Sequence, residues 1–257
     1  MSNTQLFSTV ACEYSLFRPG YPAELFEWLA NAAPARDAVW DCGCGSGQAS
    51  VPLTAHFSRV FATDSDAQQI AAAKPHARVS YSVATAENSR LAADSVDLVT
   101  VAQALHWFDV QAFYAEARRV ARPGALLAVW TYPRPRFVDT QLDACLAEFY
   151  VNVVGKYWPP ERRHIESNYT TLPPLPNELG FDELPHPPFE LELRWNLEQV
   201  LGYVSSWSAT TRYRQAEGRD PLPLLRATIA PLWPAAGEQL PVRMPIVLRA
   251  GRLRAAG

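Results

Sequence analysis

The chain has 257 residues, 48% of them hydrophobic and 19% charged, and carries a net charge of −3. These are the proportions of a globular protein long enough for one large domain, or a domain with a cap. The mild negative charge gives no general attraction to nucleic acid or to an anionic membrane, and no apolar run approaches the roughly 20 residues needed to span a bilayer.

Met1 to Val10 shows no basic flank before an apolar core. No signal peptide is therefore read there, and a cytoplasmic location is expected. Cysteines stand at 12, 42, 44 and 145, without a second Cys/His pair at zinc-site spacing. Free buried thiols and no metal centre are the expectation.

Tyr14-Ser15-Leu16-Phe17-Arg18-Pro19-Gly20-Tyr21-Pro22 precedes an amphipathic helix over about 23–32, whose apolar side is Leu25, Phe26, Trp28 and Leu29. Tyr14, Arg18 and Tyr21 read equally as a surface arm or as a lid, with Arg18 pairing a carboxylate and the tyrosines covering an aromatic or thioether group.

Ala38-Val39-Trp40 predicts a short buried strand running into Asp41-Cys42-Gly43-Cys44-Gly45-Ser46-Gly47 and a helix over 49–57. Glycines at alternate positions let the backbone bend sharply and let a ligand approach. Gln48 occupies the position where a dinucleotide fingerprint needs its third glycine, and no lysine supplies a phosphate loop. An adenosyl ligand bearing a carboxylate suits such a turn. Asp64 ends the next predicted strand, 59–64, 23 residues after Asp41, where an acid in a doubly wound sheet accepts both ribose hydroxyls. Ser65 or Asp66 is free to cap the helix over 67–74.

A third strand, 78–84, leads into Thr85-Ala86-Glu87-Asn88. An adenine ring there could use the Ala86 amide and an acceptor from Glu87 or Thr85, while Glu87 also reads as a solvated charge. The apolar fourth strand, 96–102, ends in Gln103-Ala104-Leu105-His106-Trp107-Phe108-Asp109, where open α/β sheets place their chemistry. Gln103 is read as lining the methionyl end of the ligand. His106 is either a structural hydrogen-bonder or a group touching substrate or acting as a base. Asp109 caps a helix through 120, and Arg122-Pro123-Gly124 predicts a turn into a fifth strand, 125–130.

After Tyr132 the alternation breaks. A helix over 137–154, Tyr157-Trp158-Pro159-Pro160 and the prolines at 173, 174 and 176 predict a cap. Phe189 to Trp195 alternates as a strand, Asn196 starts a helix followed by Trp207, a second helix covers 221–232, and 242–248 closes the chain with an apolar stretch.

Taken together, Tyr14-x-x-x-Arg18-Pro19-x-Tyr21-Pro22, the Asp41–Gly47 turn, Asp64, Ala86-Glu87, Ala104 to Asp109, Trp207-Ser208-Ala209 and Arg249 to Leu253 resemble the methyltransferase type 11 family of class I enzymes, in particular the branch containing trans-aconitate methyltransferase. The resemblance implies an α/β, Rossmann-like, seven-stranded mostly parallel sheet with helices on both faces and a small cap between strands five and six. It implies one domain: an arm and cofactor core over 1–132, a cap over 133–188, and completion of the sheet over 189–257. S-adenosylmethionine would be held by Asp41, Gly43, Gly45, Asp64, Ala86, Glu87 and Gln103, with Arg18 meeting its carboxylate or an acidic substrate. Many relatives carry an acid where this chain has Thr85, which leaves the group reading the adenine amine open.

The expected reaction is methyl transfer to a small-molecule acceptor, most simply an oxygen of an organic acid. Tyr14, Tyr21, Trp107, Tyr132, Trp158 and Trp207 are candidate substrate residues; Arg18, Tyr132, Trp158, Tyr203, Trp207 and Arg212 read equally as walls of the acceptor pocket or as packing of the cap, and His106 is the candidate base where one is needed. Methylation of nitrogen, carbon or sulfur, and a silent S-adenosylmethionine-binding module, are the alternatives. Nucleic-acid and membrane partners are not expected. The absence of an Asp/Asn-Pro-Pro-aromatic motif after strand four disfavours nucleobase methylation.

Overall fold

The structure, a computed structural model, describes residues 18–235 and 237–254. Tyr14 lies outside the described residues. The described chain divides into two compact units that interleave in sequence. The first contains 20–133, 163–189 and 245–254, and the second contains 18–19, 134–162 and 190–244. Residues 133–188, expected as one cap segment, are thus shared between them.

The first unit is built on β1 (Ala38–Cys42), β2 (Arg59–Asp64), β3 (Val79–Val83), β4 (Val96–Ala102) and β5 (Ala121–Thr131). These strands run parallel in the order β3-β2-β1-β4-β5. β1 is buried along its whole length, as a central parallel strand covered on both faces must be. Its neighbours reverse the strand order at β1/β4, the switch point where such sheets form a crevice at their carboxyl ends. Helix α1 (Ala23–Ala32) buries Leu25, Phe26, Leu29 and Ala30, one helical stripe. The short α2 (Ser50–Leu53) follows β1, α3 (Ala67–Ala72) follows β2 and α4 (Val110–Val120) follows β4. α1 and α4 pack on β5, and α3 packs on β2 and β3. Asp66 caps α3 through the Gln68 amide, and Asp109 caps α4 through that of Ala112.

Two readings are corrected within this unit. The helix expected over 49–57 has one regular turn, Ser50–Leu53, because Pro52 limits the ladder and tighter bonds such as Thr54 N–H to Val51 O follow. Arg122-Pro123-Gly124, expected as a turn leading into a strand over 125–130, instead bulges within β5, which already starts at Ala121. The pairs Val96–Ala121 and Leu98–Leu126 bracket the irregularity, and Gly124 takes φ +81° there.

In the second unit, β6 (Arg136–Phe137) precedes α5 (Thr140–Glu148), whose wide final turn occupies Phe149–Val153. The helix predicted over 137–154 therefore starts later, at the Asp139 cap, which accepts from the Gln141 and Leu142 amides. The chain then passes through α6 (Arg162–Glu166) and β7 (Phe181–Glu183), which apart from Arg162 belong to the first unit, before β8 (Phe189–Trp195), α7 (Leu197–Ser205), α8 (Ser208–Glu217) and α9 (Leu222–Ile229) of the second. α7 opens with a reciprocal capping box between Asn196 and Gln199.

The last strand, β9 (Leu240–Leu253), contributes 240–244 to the second unit and 245–253 to the first. Residues 247–252 pair antiparallel with β5, 251–253 pair with β7, and 242–243 pair with β6, while β8 also pairs with β9. Nine strands are present among the described residues, against the seven expected. The additional β6 and β7 are two and three residues long and exist only as partners of β9. Among the described residues no helix is long and apolar enough to cross a membrane.

Candidate functional site

The glycine turn is fastened to the end of β2. Gly43 and Cys44 donate their N–H groups to the Thr63 carbonyl at 2.8 and 3.0 Å, and Gly45 N–H donates to Asp64 Oδ2 at 2.9 Å. Trp40 Nε1 adds a buried bond to the Thr63 hydroxyl at 2.9 Å. Gly43, Gly45 and Gly47 all take positive φ, at +67°, +55° and +94°, a region that disfavours side chains. A Cβ on Gly43 would meet Ala104 Cβ at 2.6 Å, so the turn lies hard against the end of β4. A Cβ on Gly47 would fall on the Tyr81 hydroxyl.

Asp41 lies beneath this turn rather than on its surface. It is wholly buried, Oδ2 accepting from the Ser50 hydroxyl at 2.5 Å and Oδ1 from Thr100 at 2.9 Å. Burial pushes its pKa up to about 6 against the pull of those two donors, and the charge of Asp64 adds to the rise. Asp64 is partly exposed at the carboxyl end of β2. Each of its oxygens accepts one backbone N–H, from Gly45 and from Asp66, at 2.9 Å. Partial burial raises its pKa despite those bonds. A carboxylate with one bond on each oxygen still has a lone pair on each for two further hydroxyl donors. Burial likewise pushes the Cys42 and Cys44 thiols up, away from thiolate chemistry.

Ala86 is buried and belongs to the same hydrophobic cluster as Cys42, Ala104 and Leu105. Glu87 is half-buried and accepts the Asp109 N–H at 3.1 Å, tying the loop after β3 to the start of α4. Thr85 and Asn88 form an isolated bridge across the turn between them.

At the end of β4, Gln103 adopts φ +58°, a left-handed conformation that costs a side-chain-bearing residue about 1–2 kcal/mol. Its side chain is fixed at both ends: Oε1 accepts from the Thr131 hydroxyl at 2.6 Å, and Nε2 donates to the Tyr132 carbonyl at 3.0 Å. Strain held in place by surrounding bonds is a mark of a functional segment. His106 is buried and its Nδ1 lies 3.0 Å from the Tyr169 hydroxyl, while the adjacent Trp107 is 54% exposed. Tyr169 is itself buried at φ +61°, and Arg249 donates to its carbonyl and to that of Pro173. Tyr21 sets its ring against Trp130, with centroids 5.3 Å apart, and near buried Tyr132 at 6.2 Å.

The first unit thus gathers Asp41, Gly43, Gly45, Asp64, Ala86, Glu87, Gln103, His106, Trp107, Tyr21 and Tyr132. Arg18, Trp158 and Trp207 belong to the second unit. There the Arg18 guanidinium lies 5.2 Å from the Tyr203 ring and donates to the Ser206 carbonyl at 3.5 Å. Trp158 and Trp207 pack with centroids 5.5 Å apart. Arg212 is exposed on α8.

Sequence reasoning passed over Tyr81, Thr100 and Tyr169. The alternation of β3 could have singled out Tyr81, whose hydroxyl faces Gly47 and whose pKa burial pushes up to about 12. Tyr169 reaches His106 from 63 residues away and leaves no local signal.

A profile of the methyltransferase domain family matches residues 40–129, which contain the glycine turn, Asp64 and the ends of β3 and β4. A Dictyostelium discoideum protein carrying a methyltransferase name is 32% identical over 226 residues, covering 87% of this chain and 84% of that one. A Saccharomyces cerevisiae protein named as an S-adenosylmethionine-dependent methyltransferase is 27% identical, over 62% of this chain and 59% of its own. A solved structure from Anaeromyxobacter dehalogenans, described as a type II methyltransferase, superposes with a TM-score of 0.84 at 47% identity, covering 93% of this chain and all of that one.

Proposed function

The chain belongs to the S-adenosylmethionine-dependent methyltransferase family, with S-adenosylmethionine as its cofactor, and from that premise we propose that its acceptor is a small organic acid methylated on a carboxylate oxygen. The residues fit the cofactor. Asp64, with a lone pair left on each oxygen, would accept the two ribose hydroxyls, and Ala86 and Glu87, on the loop after β3, would flank the adenine. Gln103, fixed by Thr131 and Tyr132, would border the methionyl end. Asp41 acts from below, holding β1, β4 and the segment after the turn in register. When bound, the cofactor would supply an electrophilic methyl group for an acceptor oxygen, with its sulfur as the leaving atom.

One observation carries the choice of acceptor. His106, the titratable ring at the carboxyl end of β4, is buried and its Nδ1 lies 3.0 Å from the Tyr169 hydroxyl, which leaves only Nε2 of the ring for proton transfer. A carboxylate nucleophile arrives ionised and has no proton to give up, whereas an alcohol or protonated amine requires a positioned base. His106 on this reading positions the loop 104–109 rather than moving a proton. The resemblance to the trans-aconitate methyltransferase branch supports the same class.

The test is incubation with S-adenosylmethionine and a panel of carboxylic acids, amines, thiols and alcohols, reading methylated products by mass spectrometry. Methyl esters are expected, at a rate that stays level once the acid is ionised. Products formed only from amines, thiols or alcohols, with a rate that climbs through a further ionisation, would overturn the proposal.

A further inference from the structure

Asn168 and Tyr169 take φ +52° and +61° in succession, both in the left-handed region. Asparagine tolerates that region, but a tyrosine there is costly and persists only where its surroundings hold it. The hold is visible. Tyr169 N–H donates to the His164 carbonyl at 2.7 Å, and Arg249 on β9 donates to the carbonyls of Tyr169 and Pro173. Pro173 also accepts from the Tyr114 hydroxyl at 3.2 Å. The Tyr169 side chain is fully buried in the cluster that contains Val99 and Val101 of β4 and Leu105 beyond it. This conformation delivers one polar atom into the core: the phenolic hydroxyl lies 3.0 Å from Nδ1 of buried His106.

His106 belongs to the loop 104–109, which abuts the glycine turn. A Cβ on Gly43 would stand 2.6 Å from Ala104 Cβ and 3.0 Å from the Phe108 ring, so both side chains lie against that turn. At the far end of the loop, Asp109 N–H donates to Glu87 at 3.1 Å. Within itself the loop has a single tight turn, Leu105–Trp107, closed by Trp107 N–H to the Ala104 carbonyl at 2.9 Å and Phe108 N–H to that of Leu105 at 3.2 Å. One such turn is not stable by itself in water. It is held from outside, and His106 is the side chain through which Tyr169 reaches it. The His106 ring lies 6.0 Å from that of Tyr169 and 4.9 Å from that of exposed Trp107. All of these residues belong to the first unit.

We propose that Tyr169 is a positioning residue of the cofactor site: its hydroxyl, acting through the His106 ring, holds loop 104–109 against the glycine turn, and Arg249 fixes Tyr169 from the last strand. This role rests on the placement of the cofactor at that turn given above and adds what keeps the site ready for it. A phenylalanine ring would fill the same buried space, so packing alone calls for no hydroxyl. Without the hydroxyl the loop samples positions in which Ala104 and Phe108 leave Gly43. Apparent affinity for the cofactor then falls with the fraction of protein that is competent to bind.

The experiment is titration calorimetry of S-adenosylhomocysteine with wild type, Tyr169→Phe, His106→Leu and the double variant, with thermal melts to establish folding. One net hydrogen bond corresponds to about three- to tenfold in an equilibrium constant, and Tyr169→Phe is expected to bind more weakly by that factor. In the His106→Leu background the same change should weaken binding no further, because the two side chains act as a unit. With fluorotryptophan incorporated, the fluorine resonance of Trp107, assigned by its loss in Trp107→Phe, should shift in Tyr169→Phe. If Tyr169→Phe does not fold, His106→Asn against His106→Leu decides: asparagine keeps a polar atom near the place of Nδ1 and should retain affinity that leucine loses. Unchanged affinity or an unmoved Trp107 resonance in folded Tyr169→Phe, additive losses in the double variant, or equal affinities of the two His106 variants would each overturn the proposal. No binding by folded wild type would instead remove the placement of the cofactor, and the role of Tyr169 with it.

Discussion

Asp41 and Thr100 are register partners in the adjacent parallel strands β1 and β4, and the threonine hydroxyl donates to the aspartate at 2.9 Å. With Ser50 on the other oxygen, one buried acid joins two strands and the segment after the glycine turn. Burial raises its pKa from 3.8 to about 6, so the native state binds the proton more tightly than the unfolded chain. The charge penalty is absent below the unfolded value and complete above about 6. Stability contributed by this group therefore falls as pH rises through that window. Asp41→Asn removes the titration, and the wild-type-minus-variant stability should decline across the window by a few kcal/mol at most. Denaturant melts at a series of pH values check this, and a flat difference would count against a buried charge at Asp41.

Gln103 combines an unfavourable backbone conformation with a fully engaged side chain. Gln103→Gly and Gln103→Ala both lose the bonds to Thr131 and Tyr132, but only alanine retains the left-handed strain. The glycine variant is expected to be more stable than the alanine variant by about 1 kcal/mol, with wild type above both. Denaturant unfolding of the three proteins gives the order directly.

Gly43 and Gly218 share φ +67° but differ in surroundings. A methyl group on Gly43 would press on Ala104 and on Phe108 at 3.0 Å, while nothing lies within 4 Å of one on Gly218. Gly218→Ala should lose about 1 kcal/mol from strain alone, and Gly43→Ala about 2–4 kcal/mol from strain plus overpacking. Thermal melts of the pair isolate the packing contribution.

Asp64→Ala deletes both acceptors that the ribose hydroxyls would use. Hydrogen bonds to a charged group contribute roughly 1.5–3 kcal/mol each, so affinity for S-adenosylmethionine and S-adenosylhomocysteine should fall on the order of a hundredfold or more. Titration calorimetry measures it, and an unchanged affinity in folded protein would remove Asp64 from the cofactor site.

The parallel core was readable because its signals are local: the apolar central strands β1 and β4 of five and seven residues, Asp66 and Asp109 as caps, and a glycine turn directly after β1. Features set by partners distant in sequence were not. Arg122-Pro123-Gly124 has turn chemistry, yet pairing with β4 carries the strand through it. β6 and β7 are too short to show a period of two and are defined by β9. The turn motif marks Asp41 as important without showing that the carboxylate is buried between Ser50 and Thr100.

The pairing of β5 with β9 also governs how the protein is made. The five parallel strands leave the ribosome early, but the far edge of β5 closes only when residues 247–252 arrive. Until then the nascent core presents an unpaired apolar strand, buried in the finished protein from Ala125 to Thr131, that another chain can template upon. Translation stalled before that point should yield aggregates rather than a folded half-protein, and chaperone supply should limit the yield of the folded chain.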